Sequence, residues 1–142
     1  MSNLRLFLKQ NKKVKENTKY AATKSLVDEN GEPLLWEIRP ITTKEDEKLR
    51  DECTREVPIP GKPNMYRYKL DATEYMTKLA VASIVFPNLY DAELQDSYGV
   101  KTPEDLLKEM IDDPGEYNEL LLFIQNFNGF STLDDKVEEA KN

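Results

Sequence analysis

The sequence has no histidine, one cysteine, one tryptophan and only five glycines in 142 residues. The missing histidine excludes Ser-His-Asp and Cys-His catalysis and every histidine-ligated metal site. Cys53 alone makes neither an internal disulfide nor a paired-cysteine motif. Arg50 and Arg55 nearby would favour its thiolate, but without a base it reads as a structural thiol. The P-loop, dinucleotide-binding and nucleophile-elbow glycine patterns are all absent. Carboxylates are plentiful, yet the Asp112–Asp113 and Asp134–Asp135 pairs are adjacent in sequence, and neighbouring residues do not face one site. The expectation is a non-enzymatic protein with no cofactor and no metal. No apolar run approaches the roughly 20 residues of a membrane span. The apolar stretch at the start is too short for a signal peptide, so a cytoplasmic protein is expected, in keeping with the lone thiol.

What is present is charge, unevenly placed. Up to Lys24 there are seven of the 20 basic residues against one acid, Glu16; the remaining 13 basic residues face 26 acids. A basic arm therefore precedes an acidic body. The body repels nucleic acid and anionic membrane, and the arm alone is a small footprint for DNA. Leu4, Phe7 and Leu8 have the spacing of one helical face. So short a helix is marginal in water unless it docks. It reads either as a solvated arm or as a docking helix for a partner, or for the acidic residues 91–119 of another copy. Residues 1–19 are accordingly assigned as a basic N-terminal arm with a short amphipathic helix, 20–130 as a globular domain and 131–142 as a charged tail.

Within the body, residues 20–27 and 34–41 flank an acidic turn holding Asn30-Gly31, a hairpin signal. Leu34, Trp36 and Ile38 should face the core, and Pro40, lacking an N–H, should end the pairing. The turn is not a calcium loop, because its glycine falls at the fourth position from Asp28 rather than the sixth. Four helix starts follow. Thr42-x-x-Glu45 is a capping box, Asp71 has a similar form, and Thr102-Pro103 and Asp113-Pro114 place proline at the first helical position. The Asp71 helix is expected to run to about Phe86, with Leu79, Ile84 and Phe86 buried beside Trp36. Residues 91–97 read as a short helical turn. Leu106, Leu107, Met110 and Ile111 form one buried stripe, and Tyr117, Leu120, Leu121, Ile124 and Phe127 another. Residues 56–64, with three prolines, read as an irregular loop, and 65–70 as a short strand with Tyr66 and Tyr68 on one face. The fold class is α+β: a mainly helical single domain with a small antiparallel β-hairpin sheet.

One stretch is distinctive. Residues 86–100, FPNLYDAELQDSYGV, resemble the signature of the XkdN-like phage tail assembly chaperones. Phe86 and Tyr90 stand where that family has Tyr and Asn. Further matches bracket the block: Ser2-Asn3-Leu4 through Lys12-Lys13, the turn at 27–33 with Trp36–Arg39, Pro114-Gly115-Glu116-Tyr117 and Asn128-Gly129-Phe130. The resemblance spans nearly the whole chain. It implies a protein that binds the tape measure and tail tube proteins during tail assembly and leaves before the particle is complete. It brings no catalytic residues. A homo-oligomer is compatible with it; nucleic acid and membrane are not expected partners. The different reading left open is a regulatory, antirepressor-like protein-binding module. Contact candidates are Leu4, Phe7 and Leu8 in the arm, Tyr66 and Tyr68, and Leu89, Tyr90, Leu94 and Tyr98. In the last group, Leu89, Leu94 and Tyr98 read alternatively as a cap on the hydrophobic core.

Overall fold

The computed structural model describes residues 3–130; the charged tail expected at 131–142 lies outside the described residues. The arm opens with two short 3-10 turns, Asn3–Phe7 and Lys9–Asn11, neither of which buries a residue. The α-helical spacing of Leu4, Phe7 and Leu8 is therefore not realised as an α-helix. With no core to pack on, so short a segment gains little from helical bonding.

Strand β1, Thr18–Tyr20, already belongs to the sheet and begins inside the stretch read as arm. It pairs antiparallel with β2, Trp36–Ile38, with Thr18 opposite Ile38 and Tyr20 opposite Trp36. The two strands are joined by a longer excursion than the expected hairpin. Thr23 Oγ1 and the Lys24 N–H both donate to the Glu116 carboxylate, at 2.7 and 2.9 Å, drawing the chain off the sheet. The acidic turn closes locally, with Asp28 Oδ1 accepting from the Asn30 and Glu32 N–H groups and Gly31 at φ 81°. Leu34, expected in the core, is exposed. It lies in this excursion, where its N–H bonds to Leu26, and not in β2.

The four anticipated caps are made. Thr42 Oγ1 accepts from the Glu45 N–H while the Glu45 carboxylate accepts from the Thr42 N–H, starting α1, Thr43–Glu52. Asp71 caps α2, Ala72–Ser83; Thr102 caps α4, Pro103–Met110; Asp113 caps α5, Pro114–Phe127. Each such cap is worth about 1 kcal/mol. Between α1 and α2, strands β3, Thr54–Pro58, and β4, Tyr66–Leu70, form a separate two-stranded sheet. The strand at 66–70 agrees with expectation; its partner was hidden in the proline-rich stretch. Pro58 is tolerated because it sits at the end of a strand with a free edge.

α2 is the central element. Tyr75, Leu79, Ala80, Val81 and Ser83 are buried with Trp36 and Ile38 of β2, Leu106, Leu107 and Met110 of α4, and Leu120 and Ile124 of α5. Each large apolar side chain so buried contributes about 1.5–3 kcal/mol. The helix ends at Ser83 instead of Phe86. Ile84–Phe86 is strand β5, which completes the sheet in the order β1-β2-β5, with Ile84 opposite Ile38 and Phe86 opposite Glu37. The β-branched Ile84 and Val85 suit that extended backbone. The Arg39 N–H donates to the Ser83 carbonyl at 2.8 Å, fixing the changeover. Ile84 is buried as expected, whereas Phe86 is 63% exposed at the sheet edge. A short helix α3, Ala92–Ser97, capped by Asp91, follows.

Candidate functional site

The stretch after β5 is built almost entirely by local hydrogen bonds. Asn88 Oδ1 accepts from the Tyr90 N–H (3.1 Å), and Asp91 Oδ1 from the Leu94 N–H (2.8 Å). Gln95 Nε2 donates to the Leu89 carbonyl (2.8 Å), and Ser97 Oγ to the Leu94 carbonyl (2.7 Å). These polar side chains hold the block's own backbone. Leu89 is 2% exposed and part of the core, so it lies behind the surface and has no face to offer a partner. Leu94 and Tyr98 are half-buried against the core, and Tyr90 is 69% exposed. The block thus divides. Leu89 anchors, Leu94 and Tyr98 bridge interior and surface, and Tyr90 projects.

Within the same stretch an open groove of about 440 Å³ runs between β5 and α3. Phe86, Pro87 and Leu94 make its apolar walls, and Asp91 and Glu93 its acidic rim. Phe86 and Pro87 were read from the sequence as a buried helix end and its stop; the structure makes them walls of a surface depression. The available signal was the run Ile84-Val85-Phe86 before a proline, which suits a short strand as well as a helix terminus.

The other candidates lie elsewhere. Tyr66 and Tyr68 share one face of β4, opposite Pro58 and Glu56, and both are exposed, Tyr68 at 77%. The opposite face of that hairpin carries Arg55, Arg67 and Lys69 around Val57, with Arg55 paired to Glu74 at 2.8 Å. Leu4, Phe7 and Leu8 are exposed in the arm, Phe7 at 82%. The arm's base is held more closely. Lys15 Nζ lies 4.3 Å from the centre of the Phe127 ring, and Asn17 donates to Glu37 at 3.0 Å. Arm, hairpin and block therefore sit on separate elements and do not converge on one pocket.

Cys53 is buried, and desolvation pushes its thiol pKa up, opposite to the effect anticipated from nearby arginines. Tyr75 is held at about 12, first by burial and then by its hydrogen bond to Asp46. Asp46 also accepts from Arg50 (3.0 Å), so this cluster pins α1 to α2. Among the described residues no group of three or more acidic or cysteine side chains is placed to hold a metal ion, and no helix is long and apolar enough to cross a membrane.

Comparison with known proteins supplies what the geometry leaves general. Residues 4–141 match the family model described as phage XkdN-like tail assembly chaperone protein. The chain is 29% identical over 128 residues to the phage-like element PBSX protein XkdN of Bacillus subtilis strain 168, covering 89% of this chain and 85% of that one. It has the same identity and coverage with the protein YqbN of the same strain. The crystal structure of YqbN superposes with a TM-score of 0.77 at 24% identity, over 92% of this chain and 99% of that one. The α+β architecture is thus shared with a solved structure.

Proposed function

We propose that this chain, which belongs to the phage XkdN-like tail assembly chaperone family, binds tape measure and tail tube proteins in the host cytoplasm. It does so stoichiometrically and reversibly, without nucleotide, metal or covalent chemistry. The family match over residues 4–141 carries the proposal. The physical features that support it are exposed apolar side chains on a strongly acidic, well-packed body. The chain's net charge of −7 keeps such a protein dispersed, while exposed rings offer contact area to an apolar partner.

The contacts assigned to the tail proteins are Tyr90 with Leu94 and Tyr98 at the block, Tyr66 and Tyr68 on the hairpin, and Leu4, Phe7 and Leu8 in the arm. Tyr90 is the sharpest probe because it is exposed and its side chain supports little of the fold. In co-expression with the tape measure protein, wild-type chain should retain that protein in the soluble fraction and in a pull-down. Tyr90→Ala should fold normally and retain less, with a hot-spot loss of about 2 kcal/mol or more. Tyr98→Ala should lose stability as well, since Tyr98 is half-buried. If the folded fraction of both variants binds fully, the block is scaffold only. If wild type retains no tail protein, the proposal fails.

A further inference from the structure

We propose that the basic, apolar arm of one copy docks in the acid-rimmed groove between β5 and α3 of a second copy. The arm displays Leu6 and Phe7, 71% and 82% exposed, beside Arg5, Lys9, Lys12 and Lys13. Nothing within the described chain buries these rings and branches. The groove presents the complement: Phe86, Pro87 and Leu94 as walls, with Asp91 and Glu93 along the rim. An apolar segment studded with cations fits an apolar depression edged with carboxylates, and cannot equally suit the basic face of the β3–β4 hairpin.

The sheet says which copy supplies the arm. β1 and β5 run in the same direction on either side of β2, and Thr18 and Ile84 both lie opposite Ile38. The arm therefore leaves the sheet at the end where β5 begins, while the groove lies past the other end of β5, at Phe86 and Pro87. Asn17 is tied to Glu37 and Lys15 to Phe127, and beyond them the arm's own Leu6 and Phe7 stay exposed and do not line the groove of their own chain. A second copy offers the groove without that reversal. Arm and groove are different surfaces, so the contact is head-to-tail and can repeat along a row of copies.

The inference does not rest on the tail-protein reading, because its test uses this chain alone. Sedimentation velocity of the full chain over a range of concentrations at low salt should show mass rising with concentration, and the rise should shrink as salt is added. Phe7→Ala should weaken self-association by about tenfold or more. Arg5→Glu and Glu93→Lys should each weaken it, and the two changes together in one chain should restore it. Asp91→Asn with Glu93→Gln should also weaken it while keeping an amide cap on α3. A wild type that stays monomeric throughout overturns the proposal. So does an arm variant that lowers the mass while the groove variants leave it unchanged, which would place the arm elsewhere. Circular dichroism melts of each variant establish that any loss is of contact and not of folding.

Discussion

The carboxylate of Glu45 serves two contacts. It closes the capping box of α1 and accepts both Nη atoms of Arg39, at 3.0 and 2.5 Å. The Arg39 hydrogen bond is the main reason its pKa falls to about 2, from an ordinary glutamate value near 4.3. A depressed carboxylate contributes stability above its unfolded pKa and loses it as pH falls through the folded one. Glu45→Gln should therefore be less stable than wild type at pH 7, with the gap closing between about pH 5 and pH 2; denaturant melts across that window check it. A gap independent of pH would show that the charge is not what matters. Leu79, fully buried on α2, is a packing case. Leu79→Ala should cost about 2–5 kcal/mol in equilibrium unfolding. A loss below about 0.5 kcal/mol, within the range of surface substitutions, would contradict its place in the core. The capping box was legible in Thr42-x-x-Glu45, because both groups lie within one helical turn. The Arg39 contact was not, because it joins a residue just after β2 to the first turn of α1, six positions on.

Elements whose ends carry local chemistry were legible from the sequence, and those defined by a distant partner were not. The starts of α1, α2, α4 and α5 are each marked by a side chain within three residues of the backbone N–H it satisfies. By contrast, β5 exists because β2 offers it a ladder, and β3 because β4 does. The arm illustrates the energetic side of this difference. Its two 3-10 turns bury nothing, whereas Tyr20 at the end of β1 stacks on Phe123 with ring centres 4.2 Å apart. Removal of residues 1–13 should leave the melting temperature of dilute, monomeric protein within about 2 °C of wild type. Removal of residues 1–20 should lower it by several degrees. That cut takes the β1–β2 ladder and a ring pair worth about 0.5–1.5 kcal/mol beyond its buried area. Thermal melts of the two truncations distinguish an appended arm from an integral strand; equal losses would make the arm part of the core.

For the molecule as a whole, charge decides which partners are compatible. An acidic body with a short basic lead should not hold DNA once salt screens the arm, so gel-shift titrations at about 0.15 M salt should show no retained duplex. Retention there, weakening steeply with added salt, would favour the regulatory reading over tail assembly. The division into basic arm and acidic body, the four caps, the α+β class and the resemblance of residues 86–100 were determined by the sequence itself, because each depends on residue type and near-neighbour spacing. The tertiary structure alone decided that Leu89 is interior and Tyr90 exterior, that α2 yields to β5 after Ser83, and that Phe86 and Pro87 wall a groove. Burial and strand pairing are set by segments far away in the chain. Ile38 sits 46 positions before the Ile84 it faces, and no local pattern at either residue encodes that meeting.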